Sequence, residues 1–134
     1  MDKSQVIDTF WNSFGLPAYY ENSVPNDVKM PYITYELSLG SFETEITLTA
    51  SIYYYSTSWK EISKKADEIA KRMYELRGST IPFDNGRLRL YESGVPMFQR
   101  MGTLVDSSAS KPNSTEAAVK RILVTIMAEF MSAY

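Results

Sequence analysis

Apolar and polar residues alternate strictly over residues 45–55, where Ile46, Leu48, Ala50, Ile52 and Tyr54 interleave with Glu45, Thr47, Thr49, Ser51, Tyr53 and Tyr55. Successive side chains of a strand point to opposite faces, so this run predicts a strand with one buried face. Its register is fixed firmly, because a slip of one residue turns the whole apolar set toward water. The period then changes. Trp59, Ile62, Ala66, Ile69, Met73 and Leu76 recur at steps of three and four, while Lys60, Glu61, Lys64, Lys65, Asp67, Glu68 and Lys71 take most of the other positions. That is the single apolar stripe of an amphipathic helix, and it predicts a helix laid across the apolar face of the preceding strand. Ser58 with Glu61 reads as a capping box, and Gly78, just past Arg72 and Arg77, reads as a left-handed C-terminal cap. The stripe stops at that cap, too short for a coiled coil. Residues 43–78 are thus the unit around which the rest of the chain is arranged.

The same patterns continue on both sides of it. Val6, Ile7, Phe10, Trp11 and Phe14 fall at helical spacing over residues 3–14, with Asp2 and Ser4 near the start and Gly15, Leu16 and Pro17 at the end. Turn-formers at Asn22, Pro25, Asn26 and Asp27 make residues 18–31 a connection, with a short strand around Tyr19 and Tyr20. Residues 32–39 alternate again, and Gly40-Ser41 predicts that they pair with the long strand as an antiparallel hairpin. Past the helix, the Asp84-Asn85-Gly86 turn leads into a short strand over 87–91, with Leu88 and Leu90 inward and Arg87, Arg89 and Tyr91 on its other face. Two arginines and a tyrosine on one strand face resemble a minimal phosphate surface. More often such a face is solvated or pairs with neighbouring carboxylates. A further strand is expected over 97–105 and a flexible polar loop over 106–117, a length of loop that tends to carry function. Residues 118–131 are apolar on both faces and rich in β-branched side chains, which suits a strand covered on both sides, central in the sheet or closed over by a partner.

The order of elements predicts an α+β fold: a two-layer sandwich in which a mainly antiparallel sheet is covered by two helices, in the order α-β-β-α-β-β-β. With 134 residues the chain is long enough for one domain with its own core, and no internal repeat is visible.

Composition narrows the chemistry. The chain has no cysteine and no histidine, which removes disulfides, thiol nucleophiles, the usual zinc ligand sets, Ser-His-Asp triads and imidazole acid–base work together. An enzyme would have to rely on carboxylates, Lys, Tyr or bound magnesium, and no such cluster stands out, so neither catalysis nor a cofactor is expected. No Gly-rich phosphate loop is present either. A net charge of −2 gives no general attraction to nucleic acid. Only Arg87, Arg89, Arg100, Lys120 and Arg121 support a nucleic-acid-binding module. The start, Met1-Asp-Lys-Ser-Gln5, leads into an amphipathic segment rather than an apolar signal core, and no run approaches membrane-spanning length, so the chain is expected in the cytosol.

Several stretches together carry a resemblance. Leu16-Pro-Ala-Tyr-Tyr-Glu-Asn-Ser-Val-Pro25, Met30-Pro-Tyr-Ile-Thr-Tyr-Glu-Leu37 with Gly40-Ser-Phe42, Tyr53-Tyr-Tyr-Ser-Thr-Ser-Trp59 and the strand over 121–130 resemble the tail terminator, or tail completion, proteins of long-tailed bacteriophages and related tail-like particles. The resemblance spans most of the chain in order and length. It implies a structural virion protein at the head-proximal end of the tail, assembled in the host cytoplasm. It further implies a homohexameric ring that seats on the tail tube protein, ends tube polymerisation and presents a surface to the head-tail connector protein. A sheath protein is a further partner where the tail contracts, and DNA passes through the ring without being read. Rings need a heterologous interface, in which one patch meets a different patch on the next copy. The candidate interface residues are Tyr53, Tyr55, Arg87, Arg89, Tyr91, Arg100, Lys111, Lys120, Arg121 and Tyr134, because aromatic residues and arginine are favoured at interfaces. The alternatives are a head-completion or connector ring protein of the same virion and a small-molecule-binding α/β domain.

Overall fold

A computed structural model describes residues 1–92, 96–101 and 117–132 of the chain. The expected polar loop over 106–117, residue 117 apart, lies outside these residues, as do Lys111 and Tyr134. The elements are α1 (Lys3–Asn12), β1 (Ala18–Tyr20), a 3-10 turn (Glu21–Ser23), β2 (Tyr32–Tyr35), β3 (Glu45–Ser56), α2 (Lys60–Glu75), β4 (Ile81–Phe83), β5 (Gly86–Tyr91), β6 (Phe98–Met101) and β7 (Ala118–Ser132).

The expected two-layer sandwich in the order α-β-β-α-β-β-β is overturned. Strand outweighs helix, 41% to 25%, and the strands make one mixed sheet curled into a half-barrel. Its path runs β1-β2-β3-β7-β5-β4, with β6 also on β7. Two short strands account for the difference. β1 pairs with β2 in parallel, Ala18 opposite Ile33; a parallel pair needs a long connection, which residues 21–31 supply. β4 carries Pro82, which pairs with Arg87, and proline is tolerated in a strand at a sheet edge. Each is too short to show a periodicity of its own.

The frame is the antiparallel pair β3–β7, in register from Glu45–Glu129 to Ser56–Ala118. β5 and β6 share the other edge of β7, β5 along Met127–Ser132 and β6 along Arg121–Val124. The last strand is therefore central, one of the two arrangements its composition suits. The inner face carries Leu48, Ala50, Ile52, Ile122, Val124, Ile126, Ala128 and Phe130, all buried. Against it lie Val6, Ile7, Phe10, Trp11 and Phe14 around α1, and Ile62, Ala66, Ile69, Met73 and Leu76 around α2, in one continuous core. Both helical stripes thus follow the sequence pattern.

Helix α1 bridges the two ends of the curl. At its C-terminal end, the Asn12 side-chain amide donates to the Ala18 carbonyl at 3.3 Å and its Oδ1 accepts from the Ala18 N–H at 3.0 Å. At its N-terminal end, the Met1 carbonyl accepts from the Asp84 N–H, beside β4, at 2.8 Å. Sheets of twisted strands coil, and here the coil brings both outer strands to one helix.

Two local expectations change. The capping box belongs to α1, where Asp2 and Gln5 exchange their bonds. α2 has Trp59 at its N-cap and no side-chain cap; Ser58, one residue outside, reaches only the Lys60 N–H at 3.3 Å, and Glu61 stands one position too early to reach back. Gly78 does adopt the left-handed φ of 75°. The hairpin of β2 and β3 is closed by residues 36–44 rather than by Gly40-Ser41 alone. This connection is held against the core: Leu37 and Phe42 pack on it, and a Cβ at Gly40 would stand 2.4 Å from Ile46. Glu43 extends the β3–β7 ladder, donating its N–H to the Phe130 carbonyl at 2.7 Å.

Candidate functional site

Because side chains alternate, the outer face of the sheet is set by the same registers that bury the inner one. One row across it reads Tyr32, Tyr53, Arg121, Met101, and the next reads Thr34, Ser51, Leu123, Gln99. The Tyr32 and Tyr53 rings stack at 5.0 Å with a 23° tilt, and Tyr19 meets Tyr32 edge-on at 6.3 Å. The Arg121 guanidinium lies 5.8 Å from the Tyr53 ring centroid. Its Nε–H donates to the Ser51 hydroxyl at 3.0 Å, and Ser51 is only 5% exposed. Beside them the Thr49 hydroxyl donates to Glu36 Oε2 at 2.8 Å. These groups line an open cleft of about 410 Å³, with Glu21 of the 3-10 turn on its rim. Partial burial and the neighbouring Tyr53 phenol push the Tyr32 hydroxyl up from its ordinary pKa.

The same face continues away from the cleft. Val119, Leu123, Met127 and Met131 of β7 are half-buried on it, and Tyr55 of β3 is 64% exposed. At the far end the Arg89 guanidinium lies 4.7 Å from the Tyr91 ring. The Tyr91 phenol lies near the Glu45 carboxylate, and burial together with that carboxylate pushes it up to about 12. Arg87 reaches the Thr80 hydroxyl at 3.4 Å. Neither helix lies on this face, and among the described residues no other strand or helix covers it.

Tyr53, Tyr55, Arg87, Arg89, Tyr91 and Arg121 therefore share one face, in a cleft group and a β5 group. Arg100 and Lys120 do not join them. Both sit at inner-face positions at the start of α2, where they flank the Trp59 ring at 4.8 Å and 5.7 Å, and Lys120 is 6% exposed. The five cations that supported a nucleic-acid module are thus split between opposite sides of the sheet. Sequence reasoning missed Ser51, Glu21 and Glu36. Ser51 stood on the predicted polar side of β3, but nothing in its neighbours marked it as the seat of an arginine seventy positions away.

Among the described residues no three or more His, Cys, Asp or Glu converge as a metal site, and no helix is long and apolar enough to cross a membrane. The fold and this face define a class, a small mixed-sheet half-barrel whose aromatic and arginine-bearing outer surface is covered by neither helix among the described residues. Comparison with known proteins finds no matching family model, curated protein or solved structure.

Proposed function

We propose that this chain is a structural virion protein that forms a ring on the end of a phage tail tube, ends the tube's polymerisation and presents the joining surface to the head connector. The proposal starts from the resemblance over residues 16–25, 30–37, 40–42, 53–59 and 121–130. One structural observation supports it: the outer face of β3, β5 and β7, where Val119, Leu123, Met127, Met131 and Tyr53 lie half-buried and Tyr55 stands exposed, with no helix on it among the described residues. Apolar side chains on an open sheet face, here interleaved with Arg121, Thr125 and Glu129, support an interaction site. Tyrosine, methionine and arginine are the residues that interfaces favour. A ring is built when such a patch meets a different patch on the next copy and the rotation closes.

The experiment has two parts. Native mass measurement of the purified chain is expected to give a closed oligomer; a compact monomer at high concentration that also fails to bind tail tubes overturns the reading. Negative-stain images of tails assembled without the protein then separate the two ring roles. Overlong tubes support a terminator, whereas tubes of normal length indicate a head-completion or connector ring protein.

A further inference from the structure

We propose that the Arg121 cleft recognises a carboxylate on an extended, mixed-charge peptide segment of a partner protein. Three observations carry the proposal; none of them draws on the ring reading, although the cleft lies on the same sheet face, with Tyr53 and Leu123 in its lining.

Arg121 is already set in place. Its Nε–H is held by the Ser51 hydroxyl at 3.0 Å, on a residue only 5% exposed, and its guanidinium lies 5.8 Å from the Tyr53 ring. A flexible side chain fixed beforehand loses less conformational freedom when a ligand arrives. Its other end is open. The ion pairs of the described residues engage the Met1 ammonium, Lys65, Arg72 and Arg77, and none engages Arg121. With Nε occupied, the two terminal nitrogens still carry N–H groups, and their planar fork matches a carboxylate in two parallel hydrogen bonds. Arg121 and its seat line the cleft of about 410 Å³, within the span of roughly 300–1,000 Å³ usual for ligand-sized hollows.

The remaining lining decides the partner. Glu21 and Glu36 stand in the same cleft, and the chain as a whole carries a net charge of −2. A run of phosphates laid here would bring like charges against both carboxylates. A segment with one acidic side chain and a nearby amine meets Arg121 and Glu21 with the correct sign at each. Tyr32, Tyr53 and Thr34 supply the aromatic and hydroxyl surface against which extended peptide packs.

The test is an NMR titration of the isotopically labelled full chain, read at the backbone signals of Ser51, Tyr53 and Arg121. The probes are a capped Glu-Ala-Lys tripeptide, the matching Gln-Ala-Lys and Glu-Ala-Ala tripeptides, and inorganic phosphate. The Glu-Ala-Lys probe is expected to give saturable shifts, with binding weaker by about tenfold or more when the carboxylate is an amide, the size of a charge-assisted hydrogen bond. The Glu-Ala-Ala probe is expected to bind more weakly than Glu-Ala-Lys. Arg121→Gln is expected to remove the preference for Glu over Gln, and Ser51→Ala to narrow it. The absence of saturable shifts, equal binding of the Glu and Gln peptides, or a preference that survives in Arg121→Gln overturns the proposal. Phosphate binding as tightly as Glu-Ala-Lys overturns the assignment to peptide. The comparison among probes on the unaltered chain keeps the test decisive if a variant folds poorly.

Discussion

Two buried or half-buried phenols stand by carboxylates, and both tie the alkaline limit of stability to single side chains. The Tyr35 hydroxyl donates to Asp8 Oδ1 at 2.5 Å, joining β2 to α1, and burial with that bond raises its pKa well above the ordinary phenol value. Tyr91 is raised to about 12 by partial burial and by Glu45. A group whose folded pKa lies above its unfolded value binds its proton more tightly in the native state. Its contribution is complete below pH 10.0, the phenol's ordinary value, and is lost as pH rises toward about 12. Tyr91→Phe is therefore expected to flatten the fall in stability above pH 10.0 without changing the fold, which urea unfolding on either side of that pH measures. The raised values were not legible in the sequence. Nothing in residues 87–91 shows that Tyr91 faces Glu45, because the two strands are joined only through β7.

At the scale of elements, what the sequence conveyed depended on length. β3, β7 and α2 run for 12, 15 and 16 residues, enough for a period to show, and their buried faces are the ones the alternation predicts. β1 and β4 have 3 residues each, too few for any period: the sequence predicts a short strand around Tyr19 and Tyr20, but not its parallel pairing with β2, and it misses β4. Capping was misplaced for a related reason, since a shift of one residue in the start of α2 takes Ser58 and Glu61 out of the required spacing. The tightest backbone approach in the sheet is at Gly86, where a Cβ would come within 2.2 Å of the Met131 carbonyl oxygen. Gly86→Ala is expected to destabilise by about 1–3 kcal/mol, the usual cost of overpacking, with the shift read from the midpoint of chemical unfolding. Phe130 is fully buried, edge-on to Phe83 at 5.7 Å and with the Lys3 ammonium 5.0 Å from its ring centroid. Phe130→Ala is expected to cost roughly 3–5 kcal/mol, again from equilibrium unfolding.

At the scale of the whole molecule, the two faces of one sheet divide the work. The inner face is saturated by two helices, whereas the outer face holds its apolar residues half-buried. Leu123→Asp adds a charge to the middle of that outer face without touching the core. It is expected to shift the oligomer to smaller species in native mass measurement while the chain keeps a cooperative unfolding transition, whose midpoint falls with the lost association. The candidate surface was half legible. Alternation put Arg87, Arg89 and Tyr91 on one face of their strand, Tyr53 and Tyr55 on one face of theirs, and Lys120 opposite Arg121, but only the strand pairing shows which of these faces join and that Arg100 and Lys120 both stand at Trp59.

The span of α1 from β1 to β4 has one further consequence. A half-barrel, unlike a closed barrel, keeps two free margins, and bare strand margins recruit strands from other molecules. The Asn12 amide occupies both backbone groups of Ala18, and the Met1 carbonyl occupies the Asp84 N–H. One amphipathic helix thus acts as a guard on both margins at once. Asn12→Ala, which bares the backbone groups of Ala18 and leaves Val6, Ile7, Phe10 and Trp11 in the core, is expected to yield folded chains that stack margin to margin into dye-binding fibrils, which thioflavin fluorescence would detect; a variant that stays dispersed and dye-negative would show that this margin needs no guard.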